Sequence, residues 1–262
     1  FTNRGKVYQE KVYQIPATDR LSRGVPLTSV IALGADERVT AALAVSGFDG
    51  DGYLTMVTRQ GEAKRLPLSE LGSVRSSGLI VIKLERGDEL EWVQLTTGDD
   101  ELLIVTREGQ ALRFAAKTLR PMGRAAVGVG AIKLGQDDEV RGVGVARPRA
   151  DVLIVTAGGF GKRISLREFP LKGRNTKGVR CLGGRIEQTG GVAAACVVGP
   201  GGEVGLVTAG GTGPRISVGG GAPVGRATRG GRVVGLGAGN GVRAVGVVGG
   251  GSWEIKNEGV EV

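Results

Sequence analysis

The sequence predicts an all-β, propeller-like fold made of four-stranded repeats of about 50 residues. Three observations predict this class. An apolar run that ends in Val-Thr recurs, and its threonines lie 48, 50 and 52 residues apart, at Thr58, Thr106, Thr156 and Thr208. The apolar runs are short, show no helical period and end at glycine, proline or aspartate. Glycine, at 49 of 262 residues, recurs with the same period.

Five repeats are visible, and their elements follow one order. Each repeat reads as the Val-Thr strand, a tight turn, a strand with basic residues, a loop with arginine and glycine, a short strand, an acidic turn and a last strand. The loop glycines are Gly24, Gly78, Gly128, Gly178 and Gly230. The acidic turns are Asp36-Glu37, Asp88-Glu89 and Asp138-Glu139. We therefore expect one domain over residues 1–251, with blades at 1–49, 50–99, 100–149, 150–200 and 201–251, and a tail at 252–262.

Residues 199–251 allow two interpretations, since 21 of these 53 residues are glycine. Such a composition is typical of a flexible low-complexity linker. However, Val204, Leu206, Val233 and Val245 fall where the earlier repeats have apolar residues. We therefore favour a fifth repeat over a linker. We expect it to be the least stable repeat, because glycine loses extra backbone entropy on folding.

The composition favours a polyanionic partner and an intracellular location. Thirty-five Lys and Arg against 26 Asp and Glu give a net charge of +9 and a pI near 9.9. Cys181 and Cys196 lie among small apolar residues, which favours reduced thiols, and hence the cytoplasm, over a disulfide or a metal pair. No apolar run approaches about twenty residues and no signal segment opens the chain, so neither membrane insertion nor export is expected.

Two rows of cations recur in the repeats. The first row follows each tight turn and comprises Arg4, Lys6, Lys64, Arg65, Arg113, Lys162, Arg163 and Arg215. The second row accompanies the loop glycines and comprises Arg20, Arg23, Arg75, Arg124, Arg174, Lys177, Arg226 and Arg229. Because side chains alternate between the two faces of a strand, we expect cations in the same register to share one outer surface. For any single cation the simpler interpretation is a solvated charge that discourages edge-to-edge association of strands.

Two parallel belts of cations would match the two phosphate strands of a bent duplex, which makes both rows candidate DNA-binding residues. Such contacts hold and orient DNA without reading its sequence. On this interpretation, glutamate in place of five first-row cations abolishes DNA wrapping without unfolding the domain. The five are Lys64, Arg65, Arg113, Lys162 and Arg163.

No residue pattern in the chain predicts catalysis, a metal site or a cofactor. Histidine is absent, so the commonest general base and metal ligand is missing. The acidic pairs recur at turns instead of converging, which favours turn residues over metal ligands. We interpret the tyrosines at positions 8, 13 and 53 as strand surface or core residues instead of nucleophiles. The Gly-Gly pairs at Gly158 and Gly210 lack the following helix that a phosphate-binding loop requires.

Several segments resemble the C-terminal domain of DNA gyrase A, with the corresponding domain of topoisomerase IV as a near relative. The segments are Phe1-Thr-Asn-Arg-Gly-Lys-Val-Tyr8, Lys11-Val-Tyr-Gln-Ile-Pro16, Ile82-Lys-Leu84 with Gly87-Asp-Glu-Leu90, and Gly161-Lys-Arg163 with Arg174-Asn-Thr-Lys-Gly178. The resemblance implies a β-pinwheel of six blades that exchange strands and whose basic rim wraps DNA. It implies no chemistry in this domain.

The resemblance also implies partners and a location. They are duplex DNA, the N-terminal cleavage core of the same polypeptide, and the ATPase subunit of an ATP-dependent topoisomerase that adds negative supercoils near the bacterial nucleoid. Two features depart from the family. The gyrase box, Gln-Arg-Arg-Gly-Gly-Lys-Gly, is not found, although Thr228-Arg-Gly-Gly-Arg232 is a partial match in another repeat. The last repeat is also unusually rich in glycine.

Two other classes of propeller remain as alternatives. A protein-interaction scaffold would share the repeat length, and a propeller hydrolase would share the architecture. The marks of the scaffold propellers, a histidine in each repeat or a recurrent Trp-Asp, are absent, and the missing histidine also disfavours the hydrolase.

Overall fold

The computed structural model describes residues 1–19, 21–211, 213–219, 221–237 and 239–247. Within these ranges the chain forms seventeen strands and one α-helix, Ile186–Thr189. The prediction of an all-β chain is confirmed. No helix in the described ranges is long and apolar enough to cross a membrane.

The strands follow the predicted order of elements. They are β1 (Lys6–Val7), β2 (Tyr53–Thr58), β3 (Glu62–Pro67), β4 (Leu79–Ile80), β5 (Leu90–Thr96), β6 (Glu101–Thr106), β7 (Gln110–Ala115), β8 (Val129–Gly130), β9 (Val140–Ala146), β10 (Asp151–Thr156), β11 (Phe160–Ser165), β12 (Val179–Arg180), β13 (Val192–Val198), β14 (Glu203–Thr208), β15 (Arg215–Ser217), β16 (Gly231–Arg232) and β17 (Val242–Val247). Short 3-10 helices lie at Val12–Gln14, Leu27–Ser29, Leu68–Leu71, Ala116–Thr118 and Leu166–Glu168. Each repeat from residue 50 onward therefore contributes four strands, the third of which is short.

The sheets do not coincide with the repeats, because each short third strand joins the sheet of the preceding repeat. Three sheets are four-stranded, in the orders β5-β2-β3-β8, β9-β6-β7-β12 and β13-β10-β11-β16. For example, β8 pairs antiparallel with β3 through Glu62 opposite Gly130 and Ala63 opposite Val129. The pair β1-β4 and the three-stranded sheet β15-β14-β17 complete the set within the described residues. The strand exchange that the resemblance predicted is confirmed.

The recurrent Val-Thr has a structural cause at the hairpin turn. The hydroxyl of Thr58 accepts a hydrogen bond from the backbone N–H of Glu62 at 3.1 Å, and Thr156 accepts one from Phe160 at 3.2 Å. The threonine thus satisfies a backbone donor that the tight turn leaves open.

In the first four repeats, a glycine of the hairpin turn joins the repeat to the next one. Gly61 and Gly159 have φ near +85° and +81°, in the left-handed region that glycine adopts without strain. The carbonyl of Gly61 accepts the N–H of Ala131 at 2.9 Å, and that of Gly159 accepts the N–H of Val233 at the same distance. The turn that starts each second strand therefore also fixes the strand donated by the next repeat.

The chain divides into two compact units. The first comprises Phe1–Leu102, Phe114–Val140 and Lys172–Thr176, and the second comprises Leu103–Arg113, Arg141–Leu171 and the chain from Lys177 onward. The core of the first unit contains Leu54, Met56, Leu66, Val81 and Leu90, all buried. The core of the second contains Val152, Ile154, Ile164, Phe169 and Cys181. The predicted single domain and blade boundaries stay a prediction, and the tail at 252–262 lies outside the described residues.

The glycine-rich segment forms a fifth repeat, so the linker interpretation is wrong for its described residues. Val204, Leu206 and Val242 are buried, and β14 pairs with both β15 and β17. A cavity of about 510 Å³ that opens to the surface is lined in part by Leu206 and Ile216. The lower stability of this repeat stays a prediction.

Both cysteines are free, as predicted. Cys181 is buried and Cys196 is half-buried. Burial raises the pKa of each thiol to about 12, so neither forms a reactive thiolate at neutral pH.

Candidate nucleic-acid interface

Lys64, in the first row of cations, is buried instead of lying on an outer surface. It lies in β3 with 0% of its surface exposed. Its Nζ donates to the carbonyl oxygens of Val81, Arg124 and Ala126 at 2.8, 2.7 and 3.0 Å. These acceptors use all three donors of the ammonium group. Burial lowers the pKa of Lys64 to about 8, against the opposing effect of Glu70, so the ammonium form persists at neutral pH.

Lys162 repeats this arrangement in β11, with 6% of its surface exposed. Its Nζ donates to the carbonyls of Arg226 and Thr228, both at 2.6 Å, and of Gly225 at 3.4 Å. Burial also lowers the pKa of Lys162 to about 8. The expectation of an outer position is therefore wrong for both lysines. The next repeat covers the strand face that they occupy.

The hairpin arginines Arg65 and Arg113 also contact protein groups. Arg65 is 6% exposed, and its guanidinium carbon lies 4.4 Å from the centre of the Tyr53 ring. Arg113 is half-buried and donates to the carbonyls of Leu166 and Phe169 at 3.4 and 3.3 Å. Both side chains therefore pack within the fold.

Arg163 is held in the same way. It is half-buried, pairs with Asp151 at 2.9 Å and donates to the carbonyls of Val218 and Gly221. Glutamate at these five hairpin positions would meet carbonyl oxygens or lose buried contacts. The expectation that such a variant stays folded remains a prediction, and the contacts of these five cations within the fold argue against it.

The second row lies nearer to solvent. Arg75 is exposed, and 43% of the Arg124 side chain is exposed, with Nε 3.4 Å from Glu70. Arg20 lies outside the described residues. An exposed ion pair of this kind is weak and leaves the guanidinium available to a stronger anion.

Two second-row arginines are half-buried. Arg174 donates to the carbonyl of Gly130 at 2.9 Å. Arg226 keeps 34% of its side chain exposed and lies 3.7 Å from Glu168. These side chains combine a backbone or carboxylate contact with partial access to solvent.

The remaining candidates are mostly exposed. Lys6 is half-buried and lies 3.8 Å from Glu37, and Arg215 is exposed and lies 3.5 Å from Glu203. The other exposed candidates are Arg4, Arg23, Lys177 and Arg229. Five hairpin cations, Lys64, Arg65, Arg113, Lys162 and Arg163, are thus buried or half-buried, whereas most of the other candidates are exposed.

Sequence reasoning left out two exposed lysines, Lys83 and Lys133. Each follows a buried isoleucine, Ile82 or Ile132, at the end of the short donated segment. A signal for them was available, since the alternation of a strand places the residue after a buried apolar one on the open face.

A further basic cluster lies around Phe160. It consists of Arg229, which belongs to the second row, and Arg232, which belongs to neither row. The guanidinium carbons of Arg229 and Arg232 lie 5.2 and 5.0 Å from the centre of the Phe160 ring. Both arginines are exposed. The ring therefore holds two cations together at the surface of the second unit.

The acidic pairs serve turns and ion pairs. The carboxylate of Asp88 accepts the backbone N–H groups of Gln60 and Glu89 at 3.0 and 2.8 Å. Glu89 lies 2.9 Å from Arg38 and 3.0 Å from Arg59. No group of three metal-binding side chains occurs among the residues that the structure describes.

The geometry therefore provides exposed guanidinium and ammonium groups, and buried lysines hold the backbones of two of the loops that carry them, at 124–126 and 225–228. Such groups can neutralise phosphates and hold a nucleic acid without reading its bases.

Comparison with known proteins places these features in a family. The family model described as the DNA gyrase C-terminal domain, beta-propeller, matches residues 1–46, 52–97, 100–147 and 150–195. DNA gyrase A of Escherichia coli (strain K12) is 39% identical over 212 residues, covering 81% of this chain and 24% of that protein. DNA gyrase A of Mycobacterium tuberculosis (strain CDC 1551 / Oshkosh) is 34% identical over 213 residues, covering 80% and 25%. The chain thus spans about a quarter of the length of these relatives.

Solved structures agree with this placement. The C-terminal domain of DNA topoisomerase IV superimposes with a TM-score of 0.86 and 27% identity, covering 95% of this chain and 77% of that chain. The DNA gyrase A C-terminal domain gives a TM-score of 0.81 at 24% identity, covering 94% and 80%, which concerns the fold. The predicted propeller-like class and the predicted resemblance are both confirmed. Because the family model covers four consecutive repeats, the chain belongs to the family of the DNA gyrase C-terminal domain.

Proposed function

We propose that this chain binds and wraps duplex DNA through the exposed cations of its loops, and that it carries out no chemistry itself. Membership of the DNA gyrase C-terminal domain family carries the proposal. The exposed loop cations support it, as does the net charge of +9. The five buried or half-buried hairpin cations, Lys64, Arg65, Arg113, Lys162 and Arg163, have no part in the proposed contact surface.

In each unit the proposed contacts come from exposed residues of that unit. The first unit offers Arg4, Arg23, Arg75, Lys83, Arg124 and Lys133. The second offers Lys177, Arg215, Arg229 and Arg232, with the partly exposed Arg226. Phosphate contacts by such residues release counterions, so binding weakens as salt rises and depends little on base sequence.

Energetically, this set of contacts is large enough to bend DNA. Smooth bending of a short duplex through a right angle costs roughly 1–6 kcal/mol. Several phosphate contacts offset this cost through counterion release at low salt. We therefore propose that bending fades before binding when the salt concentration increases.

The domain would serve a larger enzyme. We propose that the parent protein is an ATP-dependent type IIA topoisomerase of the gyrase class, in which this domain presents bent DNA to the cleavage core of the same polypeptide. The ATPase subunit is the second proposed partner, and the bacterial nucleoid is the proposed location.

The proposal is tested by DNA binding measured through fluorescence anisotropy at about 50 and 200 mM salt, the range over which phosphate contacts weaken strongly. The test variant is Arg75→Glu/Lys133→Glu, at two exposed loop positions. We expect weaker binding and a smaller salt dependence than in the unchanged chain.

A matched control removes the same charge elsewhere. Arg86 and Lys117 are exposed in the first unit and belong to neither row, so Arg86→Glu/Lys117→Glu changes the net charge equally. If both variants weaken binding to the same extent, net charge alone accounts for it and the loop assignment is wrong. A chain that does not bind duplex DNA at low salt contradicts the proposed function and favours a protein-interaction scaffold.

A further inference from the structure

We propose that Lys64 and Lys162 are positioning residues, each of which holds the backbone of the next repeat's basic loop so that its arginine faces a DNA phosphate. This inference rests on the proposed DNA-binding function. Lys64 acts on the loop that carries Arg124, and Lys162 acts on the loop that carries Arg226.

The contacts of Lys64 define the role. Its Nζ binds the carbonyl of Arg124 itself at 2.7 Å and that of Ala126, two residues further on, at 3.0 Å. A third bond, to Val81, joins the same ammonium to the preceding donated segment. The side chain of Arg124 meanwhile remains 43% exposed. One buried charge therefore fixes the backbone at Arg124 and on its C-terminal side and leaves the guanidinium partly exposed to solvent.

The same geometry recurs about one hundred residues later, which argues against coincidence. Lys162 binds the carbonyls of Arg226 and Thr228, again the arginine and the residue two positions on, both at 2.6 Å. Without the ammonium, the convergent carbonyl oxygens would repel each other and lose a charged donor, and Ala126 and Thr228 would keep the backbone N–H groups of Lys83 and Gly183. The loop would then move to regain hydrogen bonds, and the arginine would move with it.

Direct contact with DNA does not explain these lysines. Lys64 is 0% exposed and Lys162 is 6% exposed, so neither ammonium reaches a phosphate unless its loop opens. The Nζ of each lysine also donates its hydrogen bonds to three backbone carbonyls, which leaves no donor for a phosphate.

The chain contains its own comparison at Leu112. Lys64 and Lys162 each lie three residues after the left-handed turn glycine, Gly61 or Gly159, and Leu112 lies three residues after Gly109. Leu112 is fully buried. The strand it belongs to, β7, still pairs with β12. The hairpin and the strand exchange therefore form without an ammonium group at this position, which separates the lysine's role from the fold itself.

The test is a double-mutant cycle of Lys64→Leu and Arg124→Ala in the full chain, with Leu112→Met as the control that loses no charge. Binding to a duplex is measured at about 50 and 200 mM salt, where a fourfold salt increase weakens binding about 3.5-fold for each phosphate contact. In the unchanged chain, binding weakens by some ratio between the two salt concentrations. We expect this ratio to be about 3.5-fold smaller in Arg124→Ala. We expect the same reduction of this ratio in Lys64→Leu. In the double variant the ratio should be no smaller than in either single variant.

A second readout does not depend on DNA. Amide hydrogen exchange at residues 124–127 should become faster in Lys64→Leu, while exchange in the strand β2 and in Leu112→Met stays as in the unchanged chain. Lys162→Leu with Arg226→Ala provides an independent cycle in the second unit if Lys64→Leu does not fold.

The outcomes are distinct. Additive losses in the cycle overturn the inference, because they mean that Lys64 affects DNA binding independently of Arg124. Normal binding by both lysine variants also overturns it and leaves the proposed function standing. If the unchanged chain fails to bind DNA, the proposed function itself falls and the positioning role falls with it.

Discussion

At the scale of single residues, a cation's role depends on what meets its charged group. The ammonium of Lys64 meets three carbonyls and is buried, while Lys83 is exposed to solvent. Both are lysines of the same repeat, residues 50–99. The first donates to backbone carbonyls of the fold, and the second is exposed to solvent.

The burial of Lys64 leads to a prediction about charge reversal. Lys64→Glu sets a carboxylate against carbonyl oxygens, and leaving a buried charge without a partner costs about 3–5 kcal/mol. Lys83→Glu changes an exposed residue and should alter the free energy of unfolding by no more than about 0.5 kcal/mol. Chemical denaturation of the two variants measures this difference. Equal stabilities would contradict the buried position of Lys64.

Glu89 leads to a prediction about acid. A hydrogen bond from the Asn3 side chain, followed by the contacts with Arg38 and Arg59, lowers the pKa of Glu89 below its usual value of 4.5. Because the folded-state pKa is lowered, the contribution of Glu89 to stability is complete above about pH 4.5 and disappears as the pH falls through the folded-state pKa.

The measurement compares the free energy of unfolding of the unchanged chain and of Glu89→Gln at neutral pH and near pH 3. We expect the variant to be less stable at neutral pH and the gap to close in acid. A gap that persists or grows in acid would show that Glu89 is not stabilised as a carboxylate.

At the scale of elements, the short donated strands hold consecutive repeats together. The segment that begins β12 depends on Gly178, which has φ near +74°. A Cβ at this position would lie 2.1 Å from the carbonyl oxygen of Ala111, in the strand β7 that β12 pairs with. The position therefore requires glycine both for its backbone conformation and for the close approach of the two strands.

Gly178→Ala should destabilise the chain more than Gly87→Ala. Gly87 also has a left-handed backbone, with φ near +81°, but a Cβ there meets no atom within 4 Å. The left-handed conformation alone costs roughly 1–2 kcal/mol, which both variants incur. The overlap with Ala111 adds roughly 1–3 kcal/mol in Gly178→Ala only. Thermal or urea unfolding measures the difference, and equal losses would contradict the close packing of β12 on β7.

The elements were largely predictable from the sequence, whereas the roles of the cations were not. Periodicity gives the order of the strands, because the Val-Thr hairpin and its glycine are local features. A segment about fifty residues further along the chain decides which face of a strand is covered. The sequence of a single repeat therefore does not show which of its cations are buried. Comparing the repeats would have helped, since Leu112 occupies the position of Lys64 and Lys162 and indicates a buried site.

At the scale of the whole chain, the cations that produce the net charge of +9 fall into two groups. Lys64, Arg65, Arg113, Lys162 and Arg163 lie within the fold and contact protein groups. The exposed cations, most of them on loops, form the proposed DNA-binding surface. The net charge therefore overstates the number of cations available to DNA, and the salt dependence of binding should reflect the exposed set only.

The most direct test of this division is lysine acetylation, read by mass spectrometry with and without duplex DNA. We predict that Lys83, Lys133 and Lys177 react in the free chain and become protected by DNA. Lys64 and Lys162 should stay unmodified in both conditions, because their ammonium groups are buried. Rapid labelling of Lys64 or Lys162 in the free chain, or no protection of the three exposed lysines by DNA, would contradict the account.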